Sequence, residues 1–330
     1  MKKIDILECT LRDGSYTVDF QFNLKETADI VQALDKAGFK YIEVGHGLGL
    51  NASKTKGKAL CSDGEYLLTA KDRAKKAKIG MFFIPGIGRK KDIDKAVNLG
   101  LDFIRVGTNV TEADKAVEYI KYAKESGLYV TSNLMKSYAL PVAKFLEKAI
   151  LVEDAGVDVI EVVDSAGCML PDDIEEYVSA IKLAGIQSRI GYHGHNNFSL
   201  AVANSLKAIE SGATLVDTSL LGLGRNAGNT STEIFSVILN KLGYNKSIDI
   251  FETMDVAEKI VRPIIERRKG LDNVAITCGY AEFHSSYLPI IYKIAKKYKK
   301  DPRRLMVAVV KKDTVHLTEE LAEKVARRMR

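Results

Sequence analysis

Cysteine is scarce in this 330-residue chain: Cys9, Cys61, Cys168 and Cys278 are the four, and no two form a paired motif. That spacing excludes a disulfide framework and predicts a reducing, cytoplasmic setting. No apolar run approaches the length of about 20 residues that a membrane-spanning helix needs. The start, Met1-Lys2-Lys3-Ile4-Asp5, turns polar within a few residues, so no secretory leader is expected. A GxGxxG is missing from the first strand-to-helix junction, which argues against a doubly wound dinucleotide fold, the runner-up architecture. Aromatic and basic residues do not alternate. The run Lys296-Lys297-Tyr298-Lys299-Lys300 reads as a solvated helix face, and the net charge of +6 is spread along the chain. Neither a nucleic acid nor a membrane is an expected partner.

What is present is repetition. The length suits one large domain plus an appendage, and 46% hydrophobic with 28% charged residues is ordinary for a globular protein. Gly38, Gly100, Gly127, Gly156, Gly185 and Gly212 each follow an amphipathic segment and precede a strand-like run, where glycine supplies the left-handed turn ending a helix. Strand-like runs occupy 4–9, 41–45, 79–84, 103–106, 129–134, 159–163, 189–193 and 215–219. Helix starts are marked by Asn23 with Glu26, by Thr111 with Asp114, and by Pro171. Eight βα units predict an α/β fold, a (β/α)8 TIM barrel, over residues 1–247. Beyond it, helical patterns at 248–269, 282–299, 302–311 and 318–330 predict a C-terminal helical extension, 248–330.

Two short segments, Thr10-Leu11-Arg12-Asp13-Gly14 and His193-Gly194-His195-Asn196-Asn197, each follow a strand-like run. Residues two apart on a strand share a face, so His193 and His195 can aim together. With Asp13 they make two imidazoles and one carboxylate, leaving about three positions of an octahedral ion open for substrate and water. A barrel places its active site at the C-terminal strand ends. There the fold would gather Arg12, Asp13, His46, Ser165, the histidine pair and the 222–229 loop.

With Glu43-Val44-Gly45-His46-Gly47-Leu48-Gly49-Leu50, Pro85-Gly86-Ile87-Gly88, Asp164-Ser165-Ala166-Gly167 and Gly222-Leu223-Gly224-Arg225-Asn226-Ala227-Gly228-Asn229, these segments resemble the 4-hydroxy-2-oxovalerate aldolases. Those are class II pyruvate aldolases of the metal-dependent HMG-CoA-lyase-like superfamily. The similarity continues into the tail, through Met254-Asp255 and Val261-Arg262-Pro263. It implies a carbon–carbon lyase that cleaves or forms a 4-hydroxy-2-oxo acid from pyruvate enolate and an aldehyde. It implies Mn²⁺ or Mg²⁺ on Asp13, His193 and His195, Arg12 donating to the enolate oxygen, and Ser165 holding the substrate carboxylate. A homo-oligomer and an acylating aldehyde dehydrogenase as partner are further implications.

Two positions depart from the family. Its catalytic histidine three residues after the metal aspartate is Tyr16 here, and its tail tyrosine is His284, within Gly279-Tyr280-Ala281-Glu282-Phe283-His284-Ser285-Ser286-Tyr287. The two residue types look exchanged. Histidine is the better neutral-pH base, so His284 is expected to take the C4 hydroxyl proton with Tyr16 as its hydrogen-bonding partner. Arg225, together with Arg89 and its neighbours Lys90 and Lys91, suggests an aldehyde bearing a negative group; solvated loop charge is the bland alternative. Three rivals stay open. One is an acyl-CoA condensing synthase of the isopropylmalate or homocitrate type, with Asn229 as an extra ligand. Another is a Schiff-base aldolase using Lys136, beside which the sequence shows no second cation. The last is a non-enzymatic barrel.

Overall fold

In the computed structural model, which describes residues 3–54, 57–265 and 273–329, eight parallel strands close into a barrel in sequential order. They are β1 (Asp5–Glu8), β2 (Tyr41–Glu43), β3 (Lys78–Phe83), β4 (Phe103–Asn109), β5 (Tyr129–Met135), β6 (Val159–Asp164), β7 (Arg189–Gly194) and β8 (Leu215–Thr218). β1 pairs with both β2 and β8, which completes the ring. Between and after them lie α1 (Leu24–Ala37), α2 (Asp63–Arg73), α3 (Lys90–Asn98), α4 (Val117–Glu125), α5 (Val142–Glu153), α6 (Pro171–Leu183), α7 (Ala201–Ser211) and α8 (Thr232–Leu242). The expected TIM barrel is the observed fold.

The local signals act as their chemistry dictates. Asn23 and Glu26 form a reciprocal capping box on α1, and Pro171 stands in the first turn of α6. All six repeat glycines have positive φ. Thr111 does not start α4; a 3₁₀ segment, Val110–Ala116, comes first and the α-helix begins at Val117.

The strands alternate their faces. Ile42, Val44, Ile79, Met81, Ile104, Val106, Ile160 and Val162 join the helices in the large outer core. Inside, the first residues of the even-numbered strands, Tyr41, Phe103, Val159 and Leu215, cluster with Leu7 and Cys9 and plug the barrel floor. Tyr41 meets Phe103 edge-to-face, ring centroids 5.6 Å apart. On β3 only glycine fits beside this plug: a Cβ on Gly80 would stand 2.1 Å from the Phe103 ring.

Past the barrel, the helical pattern beginning at 248 resolves into α9 (Ile250–Asp255), a π segment (Val256–Val261) and a 3₁₀ turn (Arg262–Ile264). Its expected end, 266–269, lies outside the described residues. Ile248, Val256, Ala257 and Val261 join the barrel's outer core. A second core, including Cys278, Phe283, Ile291, Ile294, Leu305, Met306 and Leu317, is built by α10 (Asn273–Tyr280), α11 (Leu288–Tyr298), α12 (Pro302–Val310) and α13 (Glu319–Arg328). The helix expected from 282 starts only at Leu288, because Glu282 adopts φ +53° and the chain turns there. α10 escaped the sequence reading: Asn-Val-Ala-Ile-Thr-Cys-Gly-Tyr mixes β-branched residues with a glycine, a weak helix signature. Among the described residues no helix is long and apolar enough to cross a membrane.

Candidate active site

The loop after β1 carries Arg12 and Asp13, and β7 carries His193 with His195 just beyond it; all four are at most 5% exposed. The ligand atoms of Asp13, His193 and His195 lie within 4.8 Å of one another. His193 Nδ1 donates to Asp217 Oδ2 at 2.8 Å and His195 Nδ1 to the Gly228 carbonyl at 3.2 Å. Both imidazoles therefore present Nε2 with its lone pair, the arrangement in which a histidine ligates a metal. Burial lowers the imidazoles to about 4 and about 3, so both are neutral near pH 7. Burial alone would raise the Asp13 carboxyl, but Arg12 and the imidazoles hold it well below the usual carboxylate range. Asn229 Nδ2 orients it further, donating to Oδ2 at 2.6 Å. Gly228 is required where it stands: its φ is +85°, and a Cβ would approach the Gly222 carbonyl oxygen to 1.9 Å.

Beneath the triad is a layer that sequence reading missed. The third residues of the four even strands, Glu43, Arg105, Glu161 and Asp217, are at most 1% exposed. Arg105 Nη1 donates to Glu43 at 2.8 Å, Nε to Glu161 at 3.2 Å, and Nη2 to both Glu161 and Asp217. Arg12 Nε joins through Glu43 at 2.6 Å, and its Nη1 reaches Asp13 at 3.1 Å. Burial pushes Asp217 up to about 6 despite Arg105. Within this hydrogen-bonded network two guanidiniums face four carboxylates, a formal excess of two negative charges, and Arg225 brings a third cation to its rim, Nη2 3.3 Å from His195 Nε2. Buried charge is costly unless it is compensated, and a cation on the triad would offset the negative charge that Arg12, Arg105 and Arg225 leave. The donor set and the charge both fit such an ion. The signal available in the sequence was a single charged residue inside each of four apolar strand runs.

A narrow cavity of about 30 Å³ opens above the triad, lined by Arg12, Asp13, Tyr16, Ser165, His193, His195 and Arg225. Leu48, Phe82, Ile84, Met135 and Val163 supply an apolar wall. Ser165 Oγ accepts the Lys136 backbone N–H at 2.9 Å, which leaves its own proton for a ligand. Arg225 Nη2 stands 3.3 Å from His195 Nε2 and 3.5 Å from the Ser165 carbonyl, with Cζ 5.8 Å over the Tyr16 ring. Burial pushes the Tyr16 phenol up to about 12.

His284 belongs to the turn between α10 and α11, is 8% exposed, and is not among the residues that line the cavity. Burial drives its pKa well below the usual value, and Arg225, Lys136 and His195 are the charges that act on it. Nδ1 pairs with Ser286 Oγ at 2.6 Å. Two expectations need correction. Arg89 is not at the cavity: its side chain is 54% exposed and turned to Asp92 at 3.4 Å. Lys136 has a cation near it after all, for burial and then Arg225 lower it to about 8; yet it does not line the cavity. His46 is structural, donating from Nε2 to the Gly57 carbonyl at 3.0 Å and stacking on Phe20.

The HMGL-like family matches residues 3–260. The 4-hydroxy-2-oxovalerate aldolase of Carboxydothermus hydrogenoformans is 41% identical over 98% of this chain and 97% of its own. That of Moorella thermoacetica is 40% identical over 98% and 96%. The chain belongs to the 4-hydroxy-2-oxovalerate aldolase family. It is accordingly a carbon–carbon lyase of a divalent-metal-dependent family. Likeness in fold reaches further: the carboxyl transferase domain of Rhizobium etli pyruvate carboxylase superposes with TM-score 0.81 at 17% identity, over 99% of this chain and 60% of that one.

Proposed function

We propose that the chain cleaves, or in reverse forms, a 4-hydroxy-2-oxo acid, exchanging it with pyruvate and an aldehyde. The observation that carries this reading is the Asp13–His193–His195 triad at the base of a cavity that Arg12 and Ser165 also enter. Mn²⁺ or Mg²⁺ held by these three residues supplies Lewis-acid polarisation of the substrate keto oxygen. Arg12, fixed by Glu43 and Asp13, donates to the negative charge that develops on that oxygen; such donors are worth about 2.7–4 kcal/mol of barrier. Ser165 donates to the substrate carboxylate, with Arg225 beside it. His284, kept neutral by burial, accepts the C4 hydroxyl proton, and Tyr16 holds that hydroxyl as a protonated partner. Since Arg89 is remote and the rest of the wall is mostly apolar, with Asn133 its further polar residue, the aldehyde is one with a short chain.

Residues 1–247 act as the catalytic unit and 248–330 as the extension that carries His284. The cysteines, none in a disulfide, support a cytoplasmic setting. Family likeness extends the proposal to a homo-oligomer and an aldehyde dehydrogenase partner, which co-purification and mass photometry check. The decisive experiment is NMR of pyruvate methyl exchange in heavy water, with Mn²⁺ and with chelator, followed by an aldehyde panel. Metal-dependent exchange and turnover of a short aliphatic aldehyde are expected. Thiol release from acetyl-CoA, or no exchange with metal, removes the reading.

A further inference from the structure

At one buried residue, the barrel mouth is fastened to the helical extension. Lys136 follows β5 directly, in left-handed backbone with φ 59° and ψ 46°, and is 3% exposed. Its Nζ donates to the Val315 carbonyl at 2.6 Å. The same carbonyl accepts the Tyr287 hydroxyl at 2.8 Å, and the ammonium lies 5.4 Å over the Tyr287 ring. Tyr287 N in turn donates to the His284 carbonyl at 3.1 Å. On its other side, the Lys136 backbone N–H holds Ser165 Oγ. One residue thus touches both the hydroxyl assigned to the substrate carboxylate and the turn that carries the assigned base. Among the described residues no carboxylate hydrogen-bonds to the ammonium; Glu112 and Asp313 act on it electrostatically, against Arg225. Burying an amine on a carbonyl is costly where an apolar side chain would not be, so the contact itself is what the position provides.

We propose that Lys136 is a positioning residue whose ammonium, through Val315 and Tyr287, fixes the turn that carries His284 relative to the barrel mouth. The catalytic half of this proposal rests on the aldolase reading; the tether does not. Displacing a reacting group by about 1 Å can cost about 10²-fold in rate. The test uses the full-length protein with Mn²⁺. In Lys136→Met, carbon–carbon cleavage should fall about 10²-fold while pyruvate methyl exchange stays within about twofold. The Val315 and His316 amides, which donate to Asp313 at 2.8 and 2.7 Å, should lose hydrogen-exchange protection. Lys136→Arg, still able to donate to the carbonyl, should recover part of the cleavage rate. Tyr287→Phe, which keeps the ring and loses the second donor, should move both readouts the same way by less, and it carries the test if Lys136→Met does not fold. Cleavage at the wild-type rate, equal loss of exchange and cleavage, or borohydride trapping of pyruvate on Lys136 would each overturn the proposal. Absence of exchange in the wild type would instead strike the aldolase reading, and amide protection would still decide the tether.

Discussion

The same four strands build two layers of the barrel interior, one pleat apart, with opposite chemistry. Tyr41, Phe103, Val159 and Leu215 form an apolar plug; two residues on, Glu43, Arg105, Glu161 and Asp217 form a charged one. The plug gains from burying apolar area and asks only for volume and shape. The charged layer loses hydration and recovers it only if every partner is in place. A closed parallel barrel needs a layer like the first to stand. The second gives the triad a fixed frame, since it orients His193 through Asp217 and Arg12 through Glu43.

The largest effect expected belongs to the proposed metal ligands above both layers. Asp13→Ala or His195→Ala should abolish Mn²⁺ binding, read by electron paramagnetic resonance. Either should also remove several kcal/mol of transition-state stabilisation, about 10³-fold or more in turnover. Chelator should reproduce this in the wild type, and activity that survives it would detach the triad from the chemistry. His284→Ala should lower cleavage about 10²–10⁴-fold with pyruvate methyl exchange retained. Because burial depresses His284, the base is already deprotonated at pH 6.5 and the acid limb of kcat/KM must lie well below that. Tyr16, pushed up to about 12, gives no basic limb near pH 10. A limb near 6.5 that vanishes in His284→Ala would place the imidazole in water, not under the extension.

The two layers are separated by a matched pair of substitutions. Phe103→Ala opens a cavity in the plug and should cost about 3–5 kcal/mol of stability. Arg105→Met takes the shared cation from three buried carboxylates, leaving Glu43 to Arg12, Glu161 to Asn133 and Asp217 to His193, and should cost about as much. The ion distinguishes them. Without Arg105 the cluster's negative excess grows from two to three, so Mn²⁺ should raise the melting temperature of Arg105→Met by more than that of Phe103→Ala. Turnover should fall in Arg105→Met, where Glu43 no longer holds Arg12 in line. Equal shifts in the two variants would mean that the layer's charge is not sensed at the triad.

Barrel, triad and extension were legible from the sequence because each rests on a short-range rule: period-two strands, glycine-ended helices, an HxH on a strand end. The charged layer was not, although Ile-Glu, Ile-Arg-Val, Ile-Glu-Val and Val-Asp-Thr each put a charge inside an apolar run. One charge in a strand reads as exposed edge; only closure shows that four of them meet. Arg89 misled for the opposite reason, for proximity in sequence to a strand end says nothing of direction, and a carboxylate three residues on turned it outward. His284 is proposed only through the family's tail pattern, since no local periodicity connects it with Asp13 some 270 residues earlier.

The finest probe of the frame is Asp217→Asn. The amide keeps the shape, and its oxygen can still accept from His193 Nδ1, so neither packing nor tautomer is lost. Arg105 retains Glu43 and Glu161, so the variant should fold with stability close to wild type. What goes is the negative charge behind the imidazole, which makes His193 a more basic ligand, together with part of the negative charge that a cation on the triad would offset. Partners one shell behind a ligand are worth about 10–100-fold in metal affinity, and Mn²⁺ titration of Asp217→Asn should show a weakening of that size. An unchanged affinity would mean that Asp217 serves Arg105 alone, and the charged layer would then be a second structural plug built from polar residues.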